Sequence, residues 1–182
     1  MSRDRRSYDG TTFFFTVVTS ERRRFLCTDF ARSALRGAFR EVRENRLFEI
    51  VAFVLLPDHL HTVWQLPPGD RDYSTRWSAI KASFTRAWNA APMPVFGAPA
   101  SRSGKRERGL WQRRFFEQTV RDERDLRRCV DYVHVNPLKH GLAGRVADWP
   151  WSSFHRYVRL GKYAPDWGSS NEWYGDEFAN YE

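Results

Sequence analysis

No long hydrophobic run occurs in this sequence. The longest uninterrupted apolar stretch covers residues 50–56, whereas a membrane-spanning helix needs ~18 such residues. The first residues, MSRDRRSYDG, include no apolar segment or small-residue cleavage site of the kind that marks a secretory signal. These absences predict a cytoplasmic protein with no membrane partner.

Cysteine is scarce, and acidic residues are outnumbered. Cys27 and Cys129 are the only cysteines, too few for a disulfide framework or a cysteine-based zinc site. The 182 residues include 30 Lys and Arg against 22 Asp and Glu, and the net charge of +8 comes mostly from arginine. Arginine pairs well with phosphate and stacks on bases, so a nucleic acid is the expected partner. The alternative explanation for the excess of arginine is codon usage in a GC-rich genome.

The order of apolar patterns predicts one α+β domain. Stretches rich in aromatic and β-branched residues indicate strands, and apolar residues three and four apart indicate helices. The expected elements are a strand over 11–19, a helix after Thr28, strands over 48–56 and 59–66, a helix capped by Ser74, and a strand over 111–120. This β-α-β-β-α-β order is typical of the ferredoxin-like split βαβ fold. Two helices then cover one face of an antiparallel sheet, and the other face is available for a site.

Two further segments follow that unit. Asp122 is expected to begin a third helix that ends at Asn136, because Pro137 disfavours helix at the residue before it. Residues 165–182 contain five acidic side chains and several aromatics but no Lys or Arg. Residues 1–164 are therefore predicted to form the domain, with 165–182 as an acidic aromatic tail.

His59 and His61 are the first candidates for chemistry. One residue separates them on a strand, so both imidazoles point to the same face. They could bind a divalent ion there, although such pairs also occur as simple hydrogen-bonded histidines. Tyr132 and Asn136 lie one helical turn apart and face the same way. Taken alone, each has an ordinary explanation, packing for the tyrosine and helix capping for the asparagine.

Three segments together resemble a known family. They are LLPDHLHTVWQLP (55–67), WQRRFFEQTVRDERDLRRCVDYVHVNPLKHGL (111–142) and DWPWSSFHRY (148–157). In their residues and in their order along the chain, these segments resemble those of the REP-associated tyrosine transposases. That family is a bacterial branch of the single-tyrosine HUH, or IS200-like, transposases. The resemblance covers nearly the whole chain and weakens in the loop before Gly109 and at the C-terminus.

The resemblance implies an activity and a set of site residues. By it, His59 and His61 bind a divalent cation, Mg²⁺ or Mn²⁺, and Asn136 can complete the metal shell. Tyr132 is the nucleophile that cleaves and rejoins single-stranded DNA through a 5′-phosphotyrosine intermediate. The implied substrate is a repetitive extragenic palindromic (REP) hairpin with a short 5′ recognition sequence. The implied enzyme is a monomer in the bacterial cytoplasm, needs no protein partner, and is associated with the nucleoid when DNA-bound.

Basic residues suggest where DNA binds. A cluster interleaved with aromatics has the composition of a single-stranded DNA surface, and a second group lies in the N-terminal arm. The predicted DNA-binding residues are Arg3, Arg5, Arg6, Arg102, Lys105, Arg106, Arg108, Trp111, Arg113 and Arg114. The alternative is a solvated loop followed by core aromatics. His134, His140 and His155 receive no role.

The remaining alternatives concern the tail and the reaction. We hypothesise that the tail folds back and competes with DNA; packing on the core is the competing explanation. A non-catalytic binder of the same hairpins, or a replication or relaxase-type nickase, is the alternative function.

Overall fold

The computed structural model describes residues 10–94 and 109–168. Its helices and strands follow the predicted order, with two short 3₁₀ turns and one further helix. They are β1 (Thr12–Val18), a 3₁₀ turn (Ser20–Arg22), α1 (Asp29–Asn45), β2 (Glu49–Leu55), β3 (His59–Gln65), α2 (Tyr73–Ala90), β4 (Phe116–Thr119), α3 (Glu123–Lys139), a 3₁₀ turn (Val146–Asp148) and α4 (Phe154–Arg159). The α+β class is thereby confirmed. In the described part of the chain, no helix is both long and apolar enough to cross a membrane.

The four strands form one antiparallel sheet in the order β2-β3-β1-β4. Alternate residues of β1 divide its two faces: Phe13 and Phe15 belong to the apolar cluster with α1 and α2. Phe14 belongs to a second cluster on the opposite face, with residues of α3. The face expected to hold a site is therefore covered by the helix that carries Tyr132.

Helix starts are set by side-chain caps. Thr28 Oγ1 accepts from the N–H of Ala31 at 3.3 Å at the start of α1. The cap predicted for α2 is wrong: Asp72, not Ser74, accepts from the N–H of Thr75 at 3.1 Å. Asp72 precedes Ser74 by two residues, and its carboxylate accepts from a free N–H group of the first helical turn. Ser74 therefore lies inside the helix.

The predicted end of α3 is wrong as well. The helix passes through Pro137 and ends at Lys139. Pro137 has no N–H group and so lacks one hydrogen bond of the helix. In the next turn, the N–H of His140 donates to the Asn136 carbonyl at 3.1 Å. Burial of Leu138 against Val146 and its neighbours favours the extra turn.

The predicted fourth strand is shorter than expected. Only Phe116–Thr119 pairs continuously with β1, while Trp111 forms an isolated bridge with Thr19. Phe115 between them packs instead against the ring of Trp77 on α2, at 6.0 Å between ring centroids.

The segment after α3 covers the outer edge of β2. Leu55 donates to the Trp151 carbonyl at 2.9 Å, and Ser153 donates to the Phe53 carbonyl at 2.8 Å. The Ser153 hydroxyl also accepts from the Phe53 N–H at 2.9 Å and contacts His134 Nε2 at 2.8 Å. This segment protects a strand edge that would otherwise be open to pairing, and it encloses His134 completely.

The burial of His134 predicts a pH-dependent stability. Burial, with the charges of Arg156 and His155, lowers the pKa of His134 from 6.5 to about 3. Below pH 6.5 the unfolded chain takes up a proton that the native state does not, so this contribution to stability is complete above pH 6.5 and falls as pH decreases. His134→Gln should reduce the slope of unfolding free energy between pH 6 and 4 by up to ~1.4 kcal/mol per pH unit, as measured by urea unfolding. An unchanged slope would contradict it.

Candidate metal and nucleophile site

His59 and His61 lie side by side beneath α3. Strand alternation directs both toward the α3 face, as predicted, and their ring centroids are 4.9 Å apart. His59 is 3% exposed and His61 is fully buried. The two imidazoles are therefore held on a rigid strand inside the protein, away from the flexibility of a loop.

The neighbours of His59 fix its tautomer. Its Nδ1 lies 2.7 Å from an oxygen of Asp58. Burial raises the pKa of Asp58, but the hydrogen bond and charge of His59 and the hydrogen bond from Arg22 outweigh it and lower that pKa to about 2. An ionised carboxylate only accepts, so Nδ1 carries a proton, and in the neutral imidazole the lone pair is on Nε2, where a ligand can bind.

His61 is similarly oriented from the neighbouring strand. Its Nδ1 lies 2.8 Å from the hydroxyl of Thr16, the residue opposite it on β1. Burial lowers the pKa of His61 well below 6.5, and the charges of His59, His140 and Lys139 act in the same direction. Within the described residues, buried Nε2 of His61 has no hydrogen bond of good geometry. A neutral imidazole with an available buried nitrogen is what a metal ion requires.

A third histidine completes the group. His140 follows the end of α3, and its ring centroid is 4.9 Å from that of His59. One nitrogen from each of His59, His61 and His140 lies within 4.8 Å of the others. Nitrogens bound to one ion at ~2.1 Å are at most ~4.2 Å apart, so a small inward movement suffices. The residues therefore fit a divalent cation.

His140 was given no role in the sequence analysis, although a signal was present. His140 is eight residues after Tyr132 and four after Asn136, so all three share one helical face if the helix continues past Pro137. A helix that ends at Asn136, as Pro137 predicts, has no face that extends to His140.

Tyr132 stands against the histidines. Its ring lies edge-on to His61, with 5.1 Å between centroids, and edge-on to Phe14 at 5.7 Å. The Nζ of Lys139 lies 5.3 Å from the ring centroid. The tyrosine is fully buried. α3 therefore holds the phenol beside the imidazoles.

Asn136 is also fully buried beside this group. Burial has the largest effect on the pKa of His61 and lowers it, whereas the side chain of Asn136 raises it. Neither polar atom of its amide has a hydrogen bond of good geometry to a described residue. Asn136 is thus available as a ligand, and that role stays a prediction.

The predicted DNA-binding residues fall into three groups. Arg113 and Arg114 are exposed just before β4. Trp111 is only 9% exposed and packs edge-on against Phe84 of α2, at 5.1 Å between centroids, so its ring is a core aromatic and offers no open face to a base. Outside the described residues lie Arg3, Arg5, Arg6, Arg102, Lys105, Arg106 and Arg108, as does the tail from residue 169 onward. Trp167, at the start of the tail, packs on Tyr163 at 4.4 Å.

The sequence matches a known family. Residues 9–136 match the family described as "Transposase IS200 like". The histidine pair and the helix-borne tyrosine thus lie in a transposase of the IS200-like class.

Two curated relatives and one solved structure narrow this class. A protein of Haemophilus influenzae named among the REP-associated tyrosine transposases is 41% identical over 93% of this chain and 95% of its own length. The REP-associated tyrosine transposase of Escherichia coli K12 is 43% identical over 92% and 91%. The structure of a REP-associated tyrosine transposase bound to a REP hairpin has 42% identity and a TM-score of 0.72, covering 92% of this chain and 91% of that one. This chain belongs to the REP-associated tyrosine transposases.

The three-histidine cluster predicts which side chains control metal affinity. His140→Ala should weaken Mn²⁺ binding more than about tenfold, because loss of a ligand exceeds the loss of an outer hydrogen bond. Electron paramagnetic resonance of free Mn²⁺ measures this directly. His155→Ala is the control, since His155 Nε2 contacts the Trp149 carbonyl at 2.9 Å. Equal binding by His140→Ala, with weaker binding by Asn136→Ala, would instead make Asn136 the third ligand.

Proposed function

We propose that this protein cleaves and rejoins single-stranded DNA at REP hairpins, with Tyr132 as the nucleophile and a divalent ion as cofactor. The observation that carries the proposal is the buried contact between Tyr132 and His61, in a site where three histidine nitrogens converge. A tyrosine that serves only for packing does not require a cluster of histidines beside it.

The chemistry follows from these groups. A phosphodiester repels nucleophiles because its non-bridging oxygens are negative. His59, His61 and His140 would hold the ion, which would supply positive charge to those oxygens. The phenol of Tyr132 loses its proton as its oxygen forms a bond to phosphorus, the bond from phosphorus to the 3′ oxygen breaks, and that oxygen takes up one proton to leave as a 3′-hydroxyl. The DNA 5′-phosphate stays on Tyr132, so attack by a 3′-hydroxyl reverses the step and rejoins a strand.

The donor set bears on the identity of the ion. Magnesium prefers oxygen ligands and retains its water, whereas imidazole suits later divalent metals. Between the two expected ions, a site of three imidazoles therefore favours Mn²⁺. Asn136 would add an oxygen donor and improve the fit for Mg²⁺.

The substrate is proposed from charge and from relatives. A relative of this chain is bound to a REP hairpin, and the excess of arginine here suits a phosphate backbone. Exposed Arg113 and Arg114 are the described candidates for that backbone. We infer that the protein acts as a monomer and needs no protein partner.

Tyr132→Phe tests the nucleophile. The variant keeps the ring that packs on Phe14 and His61 but lacks the hydroxyl, so it should form no covalent adduct with a labelled REP hairpin in Mn²⁺. Hairpin affinity and thermal stability should stay near those of the unmodified protein. The measurement is a denaturing gel of protein and labelled DNA.

Tyr157→Phe is the matched control, because its hydroxyl donates to the Val51 carbonyl at the far edge of the sheet. It should form the adduct at the normal level. Undiminished adduct from Tyr132→Phe would refute the assignment, and an unmodified protein that binds the hairpin without any adduct would identify a non-catalytic binder.

A further inference from the structure

A second layer of residues lies behind the histidines. One carboxylate oxygen of Asp58 faces Nδ1 of His59 at 2.7 Å. The other accepts from the guanidinium of Arg22 at 3.3 Å. The side chain of Arg22 is 55% exposed, and that of Asp58 is 18% exposed. A line of contacts therefore connects solvent to the buried imidazole.

The backbone that carries Arg22 is unusual. Glu21 and Arg22 have φ values of 56° and 50°, in the left-handed region that residues with a Cβ atom rarely adopt. Glycine would adopt it without steric cost, yet neither residue is glycine. Two consecutive residues kept in a disfavoured conformation beside a site indicate that the shape of the turn serves that site.

The same loop also fixes the backbone next to His59. The N–H of Thr19 donates to the Asp58 carbonyl at 2.8 Å, and the N–H of Leu26 donates to the Pro57 carbonyl at 2.9 Å. The residue that faces His59 is thus held by its main chain on one side and by Arg22 on the other. Its carboxylate has little freedom to turn away from the imidazole.

We propose that Asp58 and Arg22 are positioning residues of the histidine site. Asp58 keeps His59 in the tautomer whose Nε2 faces the site, and Arg22 keeps the carboxylate in the orientation that does so. The proposal rests on the metal site described under the proposed function. It extends that site by two side chains that are not themselves ligands.

An exposed arginine near a DNA-processing site has another explanation, contact with a DNA phosphate. The two roles differ when DNA is absent. A phosphate contact has no effect on the free protein, whereas a positioning role changes the tautomer of His59 and the affinity for metal. The experiment is therefore done on the full-length chain without DNA.

Two measurements are combined on this chain. Nitrogen-15 NMR of labelled histidines reports which ring nitrogen carries the proton, and electron paramagnetic resonance reports Mn²⁺ binding. Asp58→Asn should move His59 toward the Nε2–H tautomer, because an amide can turn its N–H₂ toward Nδ1. It should also weaken Mn²⁺ binding by about 10–100-fold, the usual effect of losing an outer-layer partner.

Arg22→Ala should produce a smaller change in the same two measurements, with binding weakened about two- to fivefold, as expected for a half-exposed ion pair. Arg22→Lys should restore part of it. Arg24→Ala removes the same charge two residues along the loop and should leave both readouts unchanged. Because Arg22 is exposed, its variants remain informative even if Asp58→Asn folds poorly.

Three results would overturn the proposal or its basis. An unchanged His59 tautomer and unchanged Mn²⁺ affinity in Asp58→Asn would refute the role of Asp58. An unchanged His59 tautomer and unchanged Mn²⁺ affinity in Arg22→Ala would refute the role of Arg22. Failure of the unmodified protein to bind Mn²⁺ would refute the metal site itself, while the NMR measurement would still decide whether Asp58 orients His59.

Discussion

The packing of α3 across the sheet is the constraint on which the site depends. β3 directs His59 and His61 to one face, and α3 brings Tyr132 to within 5.1 Å of His61 between ring centroids. The apolar cluster around Phe14 and Val133 holds helix and sheet together. The distance between Tyr132 and the histidines is therefore set by two rigid elements, which position side chains more accurately than loops do.

This arrangement places polar groups where they cost stability. His61, Tyr132 and Asn136 are fully buried, and an unsatisfied buried polar atom costs ~1–3 kcal/mol. In the described residues, His61 Nε2 and the Asn136 amide have no hydrogen bond of good geometry. Such atoms, gathered in one place, are typical of a site organised for a ligand rather than for maximal stability.

Much of this organisation is local and could be predicted. Strand alternation placed His59 and His61 on one face, and apolar periodicity located α1, α2 and α3. The third histidine could not be found in this way. A proline normally ends a helix, but burial of Leu138 sustains α3 through Pro137, and only that extra turn brings His140 into line with Tyr132.

The other differences between the predicted and the observed structure come from tertiary packing. Nothing in an arginine-rich stretch distinguishes a ring that stacks on DNA from one that packs on α2, as Trp111 does. The left-handed turn at Glu21 and Arg22 contains no glycine, so the sequence does not predict it. The contacts on which the proposal for this turn rests are made with Asp58, which is distant in sequence.

The most direct test of the central claim is to locate the covalent bond. The protein is incubated with a REP hairpin and Mn²⁺, digested with trypsin and nuclease, and analysed by tandem mass spectrometry. The site described here predicts a nucleotide 5′-phosphate on Tyr132, within the peptide 129–139. A nucleotide attached to any other residue, or a cleaved hairpin with no modified peptide, would contradict it.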